Sequence, residues 1–596
     1  MSACSLKMRL FFCFTFSAAL TISRGITAQE PSPALKQADA DYRAGVAALS
    51  RNDLNTARED FEKVVHLAPS AEQGHSALGA VLVRLGHTSE GIHELEKALA
   101  IKPSDSSAQL NLALAYEQSG QHAKALPWFV KAMAAAHDEH RAVPAAVLAA
   151  YARSLAATRQ FPAAVSKMKA AIAEELQNAE WHDELGSVYA QQQDWADAKQ
   201  SFSAALALNP DLAMAHLHLG MSLEAEQQPG ALEELSKAYE LAPQNALIAL
   251  ELGQAMATGG DDEHALPLLR RAVELDPGST TAAYQLALVL QRTDNVNEAI
   301  PLLQKAASAE AENAEVLTNL GMALCQAQRA KEAVPVLQRA VSLTPNNATA
   351  HQNLAAAYIQ LSQFDDAVSQ LRMALKLSPD AAQLHYNLGL AFKMQDNAAD
   401  AIPEFESAEK LDPSQPEPSY ALGVLYMDAG RYANAARELN TSLKLRPENG
   451  DAWATLGSVY NNLGQLPEAA SALQEAIRQL PGQPDPHLTL ATVLVKQNQP
   501  AEAAAERKKA ADLMRANMSR QRAEVASNSG NSLLKSGKLG DAIVEFRDAL
   551  SYDPNYSEAH MGLANALQQQ GKIAEAAAER QKAEALEKKS GQQQKP

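Results

Sequence analysis

The sequence predicts an all-α protein, an α-solenoid of about sixteen helix–turn–helix repeats. Three features of its 596 residues predict this fold class. Small residues recur with a period of about 34 residues, the composition favours helix over strand, and a proline closes most of the repeating units. Because one pair of short helices cannot bury its apolar face alone, every unit must pack against a neighbouring unit.

The period is clearest in two consecutive units. "HQNLAAAYIQLSQFDDAVSQLRMALKLSP" begins at His351, and "HYNLGLAFKMQDNAADAIPEFESAEKLDP" begins 34 residues later, at His385. Small side chains at a fixed position of every unit allow two helix backbones to approach closely. Aligning all units leaves one position that is always Gly or Ala: Gly45, Gly79, Ala113, Ala152, Gly186, Gly220, Gly253, Ala287, Gly321, Ala355, Gly389, Gly423, Gly457, Ala491, Gly530 and Ala564.

The composition and the pattern within each unit both favour helices. Alanine, leucine, glutamine and glutamate dominate, aromatic residues make up 5%, and no segment has the alternating pattern of a strand. Apolar residues follow helical spacing and are interrupted once by a polar turn such as "NLGQLPE", which predicts two helices per unit. Proline cannot continue a helix, and it follows the second helix at Pro69, Pro103, Pro210, Pro243, Pro277, Pro345, Pro379, Pro413, Pro447, Pro481 and Pro554.

Two units carry a more specific signature: "WATLGSVYNNLGQLPEAASAL" from Trp453 and "WHDELGSVYAQQQDWADAKQSF" from Trp181. They resemble the tetratricopeptide repeat (TPR) family, whose pattern is W-x2-L-G-x2-Y, then A-x3-F, then P. The resemblance covers nearly everything from about residue 35 to residue 588. It implies a right-handed superhelix of TPR units, and for function it implies protein–protein interaction.

Two departures from the period predict the limits of three repeat blocks. The spacing widens to 39 residues between Ala113 and Ala152 and again between Ala491 and Gly530. Near the second interval, Arg507 replaces the bulky residue of a second helix, as a polar capping helix requires. We therefore predict repeats one to three in residues 35–137, repeats four to fourteen in 140–515, a C-terminal pair in 519–588 and a disordered tail in 589–596.

The N-terminus has the layout of a secretory signal peptide. Lys7 and Arg9 precede an apolar run from Leu10 to Ile22, which is shorter than the ~20 residues of a membrane-spanning helix. We expect cleavage after Ala28, so that residues 1–28 are removed and the protein is exported to the periplasm or the extracellular space. The alternative is that the segment stays uncleaved and anchors the protein in a membrane.

Charge and cysteine content limit the partners and the chemistry. The formal net charge is −18, and it becomes −21 without residues 1–28, which contain three basic residues and no acidic one. A field of this sign repels nucleic acid and anionic lipid, so we expect a protein or peptide partner and no membrane insertion after cleavage. Beyond residue 28 the only cysteine is Cys325, which excludes an intrachain disulfide in the mature chain.

We expect neither an enzyme nor a cofactor. "GNSLLKSGKL" from Gly530 lacks the spacing of a phosphate-binding loop, and Leu539 stands where that loop needs Ser or Thr. No G-x-S-x-G, H-E-x-x-H or dinucleotide-binding motif is present in the sequence. The repeats also use nearly the whole mature chain, which leaves no segment long enough for a catalytic domain.

Asparagines in register suggest a binding surface. Asn319, Asn353 and Asn387 precede the leucine of the first helix in three consecutive units. An amide both donates and accepts, so a row of asparagines can hold an extended peptide backbone whatever its side chains. The family resemblance supports this use, because a similar row lines the groove of the TPR array of O-linked N-acetylglucosamine transferase. The candidate partner-binding residues are Asn319, Asn353, Asn387, Tyr284, Tyr386, Tyr420, Met322 and Met427.

The simpler alternative is that these asparagines are polar residues tolerated between stacked helices.

The recurring histidines and a basic run also have simple structural explanations. Histidines recur at one position of the units, at His75, His182, His216, His351, His385, His487 and His560. Equivalent residues of adjacent repeats lie too far apart to share a metal ion, so we expect packing residues and no metal site.

A basic run in the fourteenth unit is also open to two interpretations. It comprises Arg507, Lys508, Lys509, Arg515, Arg520 and Arg522. These residues could dock an acidic partner, or they could form a solvated helix face interleaved with acidic residues.

Together, these observations predict a non-catalytic scaffold or adaptor that binds a protein or peptide in a concave groove. A chaperone-like receptor for extended peptides is the alternative, and the asparagine row motivates it.

Overall fold

The computed structural model describes residues 32–593, so the predicted signal peptide, residues 1–28, lies outside the described residues. Within residues 32–593 the chain forms 31 α-helices and no strand, which confirms the all-α prediction. None of the helices in this range combines the length and the apolar character needed to span a bilayer. The chain divides after Ala309 into two compact units, each of which is described separately.

Unit 1 contains eight helix pairs, one pair for each repeat. They are α1 (Pro33–Ser50), α2 (Leu54–Leu67), α3 (Glu72–Arg84), α4 (Thr88–Ile101), α5 (Ser106–Gln118), α6 (His122–Asp138), α7 (Ala145–Ala157), α8 (Phe161–Glu174), α9 (Ala179–Gln191), α10 (Trp195–Leu208), α11 (Ala213–Ala225), α12 (Ala231–Leu241), α13 (Ala246–Thr258), α14 (Asp262–Leu275), α15 (Thr280–Arg292) and α16 (Val296–Ala309).

Unit 2 contains eight further repeats, in which one long helix belongs to two repeats. Its helices are α17 (Ala314–Gln326), α18 (Ala330–Leu343), α19 (Ala348–Gln360), α20 (Phe364–Leu377), α21 (Ala382–Met394), α22 (Ala398–Leu411), α23 (Pro416–Asp428), α24 (Tyr432–Leu445), α25 (Gly450–Asn462), α26 (Leu466–Gln479), α27 (Asp485–Lys496), α28 (Pro500–Lys535), α29 (Leu539–Tyr552), α30 (Ser557–Gln569) and α31 (Ile573–Gln593). The two units therefore contain the sixteen repeats that the sequence predicts.

Local sequence sets the helix boundaries. The first helices α17 and α19 begin after Asn313 and Asn347, whose side chains accept hydrogen bonds from backbone N–H groups in the first turn. Between α19 and α20, Ser362 has a left-handed backbone (φ 58°), which reverses the chain in a short turn. Pro345 follows α18, where no further N–H is needed for the helix.

In the repeats that have glycine at the shared position, a large side chain of the second helix packs against that glycine of the first helix. Phe405 is fully buried, and a Cβ added to Gly389 would lie 2.8 Å from its ring. Leu439 is fully buried in the same way, and a Cβ on Gly423 would lie 2.6 Å from its Cγ. These distances are shorter than van der Waals contact, so the close approach of the two helices requires the small residue.

A tyrosine in several first helices bonds to the second helix of the preceding repeat. The hydroxyl of Tyr116 donates to Glu96 at 2.5 Å, and that of Tyr426 donates to Glu406 at 2.8 Å. At the equivalent place, the hydroxyl of Tyr358 accepts from Gln338 at 3.0 Å. The partner changes between acidic and amide side chains, but the link between consecutive repeats is retained.

The recurring histidines form hydrogen bonds to the second helix of their own repeat and to the proline loop before it. His75 Nε2 lies 3.0 Å from the carbonyl oxygen of Pro69, and its Nδ1 lies 2.6 Å from Glu94. The pair of contacts recurs at His216, His351, His385 and His560. Because a carbonyl oxygen can only accept, the ring nitrogen at the proline must be the donor. The histidines are therefore more than packing residues, and none of those described belongs to a group that could hold a metal ion.

Two other residue types make the same bond to the proline carbonyl. Gln109 Nε2 donates to the carbonyl of Pro103 at 2.7 Å, and Trp453 Nε1 donates to that of Pro447 at 2.8 Å. An N–H donor is thus the shared property of histidine, glutamine and tryptophan at this position.

The carboxylate beside His75 also binds a lysine. Burial would raise the pKa of Glu94, but hydrogen bonds from Lys97 and His75 outweigh burial and hold that pKa below its ordinary value. The same balance lowers the pKa of Glu506 and of Glu579, beside His487 and His560. These glutamates remain ionised to lower pH in the folded chain than in the unfolded chain.

The predicted junction between residues 137 and 140 is not a break in the packing. α6 is 17 residues long and a longer connection follows it, which accounts for the wider spacing. However, Leu112 and Phe129 of the third repeat share one apolar cluster with Val147 and Ala150 of the fourth. The first two predicted blocks, 35–137 and 140–515, therefore meet in a continuous core at this junction.

The predicted junction between residues 515 and 519 lies inside α28, a single helix of 36 residues. Its first half is the second helix of the fourteenth repeat, and its second half is the first helix of the fifteenth. The prediction of separate blocks, 140–515 and 519–588, is therefore corrected in one respect. The backbone does not turn between them but continues as a single helix. The sequence from Pro500 to Lys535 contains no internal proline, so a continuous helix is sterically allowed.

The predicted disordered tail, residues 589–596, is corrected in part. α31 continues to Gln593, and residues 594–596 lie outside the described range. The helix enters the tail from residues 573–588, which are rich in alanine, glutamate and lysine and have high helix propensity.

We predict that the proline contact of His75 depends on an N–H donor. His75→Gln should retain near wild-type stability, because Gln109 makes the same bond naturally. His75→Leu leaves the Pro69 carbonyl without its donor and removes one of the two partners of Glu94, which keeps Lys97, and should destabilise the repeat by about 1–3 kcal/mol. Thermal melting and hydrogen exchange at α3 and α4 measure the difference, and equal melting temperatures for both variants would contradict the prediction.

Candidate partner-binding surface

The first helices of unit 2 leave one row of side chains open. In α17, α19, α21 and α23, the fifth, sixth, ninth and twelfth residues are mostly half-buried, while the seventh and eighth are buried against neighbouring helices. We call the surface formed by these four positions in successive first helices the first-helix face. Seven of the eight predicted binding residues lie on this face in unit 2.

Asn319, Asn353 and Asn387 are each the sixth residue of their helix, and all three are half-buried. Their amides are engaged differently. Asn387 Oδ1 accepts from Gln383 at 2.9 Å. Asn353 Nδ2 is enclosed by protein and has no hydrogen-bond partner in the described chain. The asparagines are in register, but they do not present three equivalent open amides.

The first-helix face is continuous between α17 and α19, which pack directly against each other. Gln360 Nε2 donates to the backbone carbonyl of Cys325 at 2.9 Å across this contact. The Cys325 thiol is buried, and burial raises its pKa to about 11. A thiol in this state is protonated at neutral pH, so it is not suited to nucleophilic chemistry.

Two tyrosines on the first-helix face lie beside acidic residues of the next first helix. Tyr386 packs against Phe405 with ring centroids 5.6 Å apart, and burial, together with the nearby Glu417, raises the pKa of Tyr386. Burial also raises the pKa of Tyr420, and the carboxylate of Asp451 adds to this effect. Both hydroxyls therefore remain protonated and can donate hydrogen bonds.

The remaining predicted residues are separated along the chain. Met322 is the ninth residue of α17 and Met427 the twelfth of α23, and both are half-buried. Tyr284 lies on α15, which belongs to unit 1, so it is not part of the first-helix face of unit 2. In unit 2 the face thus combines amides, phenol hydroxyls and thioethers, which suit hydrogen bonding and apolar contact with a polypeptide.

Ionic residues of unit 1 were missed by the sequence analysis. Arg153 on α7 bonds to Glu117 on α5 at 2.7 Å and to Glu184 on α9 at 3.2 Å, so it links three first helices. His218 on α11 lies 2.8 Å from Asp183 on α9. The sequence contained a signal for two of them, because Glu184 and His218 are the sixth residues of their first helices, and the asparagines of unit 2 occupy the same position.

Three carboxylates on these first helices are harder to ionise than usual. Burial is the larger effect at Glu184 and raises its pKa, although Arg153 offsets part of the change. Burial also raises the pKa of Glu251 and of Glu224, and the charge of Glu224 raises that of Glu251 further. The first helices of unit 1 thus carry partly buried carboxylates, Glu184 and Glu251, at the position where unit 2 has neutral asparagines.

We predict that Glu251 destabilises unit 1 when it is ionised. A carboxyl group with a raised folded-state pKa favours folding below its unfolded-state value of 4.5, and it loses this advantage as the pH rises. Glu251→Gln should therefore raise the melting temperature at pH 7 and leave it unchanged at pH 4. Glu180→Gln, at an exposed site on α9, is the control. A melting difference between wild type and Glu251→Gln that does not depend on pH would contradict the prediction.

Four models of the tetratricopeptide repeat family match the chain. One matches residues 76–140, 223–280, 353–416 and 420–484, and a second matches 310–380. The other two match residues 462–512 and 533–593, and residues 179–212. No curated protein matches the chain in sequence.

Several solved structures are similar to parts of the chain or to most of it. The APC/C hetero-tetramer Cut9–Hcn1 is 17% identical, covers 90% of this chain and 97% of its own, and has a TM-score of 0.33. YrrB is 27% identical over 32% of this chain and 98% of its own, with a TM-score of 0.28. MamA from Desulfovibrio magneticus RS-1 is 23% identical over 28% and 96%, with a TM-score of 0.27.

With such low TM-scores these likenesses add nothing to the family assignment, which rests on the matching models and on the repeat geometry. Consecutive helix pairs, the small residue that faces a large one and the 34-residue period agree with those models along both units. The chain belongs to the tetratricopeptide repeat family, whose arrays are protein–protein interaction scaffolds.

Proposed function

We propose that this protein is a non-catalytic scaffold that binds a segment of a partner protein along the first-helix face of unit 2. The observation that carries the proposal is the row of half-buried Asn319, Asn353 and Asn387, which occupy one position in three consecutive first helices. A half-buried amide in register can pair with the repeating N–H and C=O groups of an extended chain.

The side chains around the row support the same use. Tyr386 and Tyr420 offer protonated hydroxyls and apolar ring surface, and Met322 and Met427 offer flexible apolar contact. The enclosed Nδ2 of Asn353 also supports it, because a buried donor without an acceptor is costly. A peptide carbonyl that accepts from this donor would remove that cost.

A chaperone-like receptor for extended peptides is the second candidate. It is favoured by the chemistry of the asparagine row, since bonds to a peptide backbone do not depend on the client's sequence. The scaffold is favoured by the tyrosines and methionines, which recognise side chains and so select particular partners.

We predict that replacing Asn319, Asn353 and Asn387 together with alanine weakens partner binding at least tenfold. The protein is first used as bait in its native compartment, and the affinity of a captured partner is then measured by calorimetry. Asn346→Ala changes an exposed asparagine in the loop between α18 and α19, and it should bind like wild type. Wild-type affinity in a folded triple variant would refute the role of the row.

The bait experiment also separates the two candidates. A small number of folded partners in stoichiometric amounts supports the scaffold. Many unfolded clients that compete for the same site support the chaperone-like receptor. Circular dichroism of each variant checks that the helices are retained, so that a loss of binding is not caused by unfolding.

We also propose that the protein is exported to the periplasm or the extracellular space. The basic start and the short apolar run of residues 1–28 support this localisation. N-terminal sequencing of the protein from its native cells should begin at Gln29. A chain that retains Met1 in the membrane fraction would show the uncleaved anchor instead, and one that retains Met1 in the cytoplasm would refute export.

A further inference from the structure

The middle of α28 is mostly exposed and makes few contacts with the rest of the described chain. Asn517 Nδ2 donates to the carbonyl of Gly482 at 3.3 Å, and Arg520 lies over the ring of Tyr556 at 5.4 Å. Ala510 and Ala523 are buried, but none of the twelve residues between them is, and ten of the twelve are exposed. Other helices of unit 2 pack on α28 before and after this segment: α27 on its first half, and α29 and α30 on its second.

The sequence on both sides of the exposed segment is polar where other repeats are apolar. Arg507 is exposed at the position where α26 has the fully buried Leu473. Ser529 and Ser532 are exposed where α25 has the buried Leu456 and Val459. At these positions α28 therefore lacks the apolar side chains by which the equivalent helices of other described repeats pack on their neighbours.

An apolar stripe nevertheless runs along the exposed segment. Met514, Met518 and Val525 have 39%, 55% and 66% of their surface exposed. With Ala511 and Gln521 they follow a spacing of three, four, three and four residues, which is the pattern of one side of a coiled coil. The stripe covers two heptads, or about 21 Å of helix.

One flank of the stripe is basic. Lys508, Arg515 and Arg522 lie seven residues apart. Arg515 and Arg522 directly follow the stripe positions Met514 and Gln521, and Lys508 lies one heptad before Arg515, next to the N-terminal end of the stripe. Arg515 pairs with Asp512 on its own helix, and Arg522 lies over the ring of Tyr552 at 5.9 Å. On the opposite flank, the equivalent positions are Ala510, Asn517 and Glu524.

We propose that residues 507–528 of α28 bind an amphipathic helix of a partner protein that carries acidic residues beside its apolar stripe. The apolar stripe supplies the packing surface, and the three cations on one flank select the charge of the partner. This surface is distinct from the first-helix face, and the proposal does not depend on the function proposed for that face.

The charge pattern argues against pairing of two copies of α28. In an antiparallel pair the same flanks meet, which would place Lys508, Arg515 and Arg522 against the same three cations. In a parallel pair they would meet Ala510, Asn517 and Glu524, of which only one is acidic. A partner with acidic residues at all facing positions is therefore preferred.

The stripe also differs from a membrane-binding surface. It is one or two residues wide, whereas a helix that lies in a bilayer interface has a broad apolar face. The chain as a whole carries a net charge of −18, which opposes approach to anionic lipid.

The test uses the full chain and two designed peptides of 21 residues with fluorescent labels. Both peptides have leucine at the stripe positions, and they carry either glutamate or lysine at every flanking position. In fluorescence anisotropy, the glutamate peptide should bind at least tenfold more tightly than the lysine peptide. Its advantage should shrink as salt concentration rises, because the selecting charges are exposed.

Variants of α28 identify the surface. Met518→Glu should weaken binding of the glutamate peptide at least tenfold, whereas Met394→Glu, at a site on α21 that is 56% exposed, should leave it unchanged. Combined Lys508→Glu, Arg515→Glu and Arg522→Glu should reverse the preference, so that the lysine peptide binds more tightly. Circular dichroism confirms that each variant is folded.

Four results would overturn the proposal. One is equal binding of the two peptides by the wild-type chain, and another is unchanged binding by Met518→Glu. A third is self-association in sedimentation that Met518→Glu abolishes, which would assign the stripe to a second copy. A fourth is binding to vesicles of anionic lipid that is lost in the same variant, which would assign the stripe to a membrane surface.

Discussion

The contact between a small residue on one helix and a large buried side chain on its partner underlies the whole array. At Gly389 and Gly423 there is no room for even one additional carbon atom against Phe405 and Leu439. This close approach leaves a pair of helices with apolar surface on both outer sides, which the preceding and following repeats must cover. The chain therefore grows by repetition within each unit, and its stability is distributed over many similar contacts.

Hydrogen bonds between polar side chains reinforce these contacts at fixed positions. The tyrosine hydroxyls link several first helices to the repeat before them, and the histidine nitrogens link the start of several repeats to the proline loop that precedes it. In both cases the hydrogen bond is retained, although the residue type on one side of the bond differs between repeats. This explains how the repeats diverge in sequence while the same links persist.

Surface chemistry is concentrated at positions that the packing does not use. The sixth residue of the first helix is buried in some repeats, as at Ala150 and Ala421, and half-buried in others, where its chemistry varies between units. In unit 1 it includes Glu184 and Glu251, and in unit 2 it includes Asn353 and Asn387. The same position of the same type of helix is thus acidic at two places in unit 1 and neutral in the asparagine row of unit 2.

At α28 the packing between two consecutive repeats changes, although the backbone continues as one helix. Arg507 and Ser529 have lost the apolar character that equivalent residues use to join neighbouring repeats, and both are exposed. The widened spacing and the polar substitution marked this place in the sequence. They could not show that the backbone continues as one helix. A polar segment without proline can form either a turn or a helix, and the packing of its two ends decides between them.

The sequence by itself determined the helical class, the number of repeats, their small-residue contacts and the family, since all of these depend on spacing along the chain. It also located Asn319, Asn353 and Asn387 in register. Only the tertiary structure decided which of their amides are engaged, that Tyr284 belongs to another unit, and that Arg153 links three first helices. These properties depend on distances between residues about 30 to 40 positions apart, and one-dimensional periodicity carries no information on how such side chains meet.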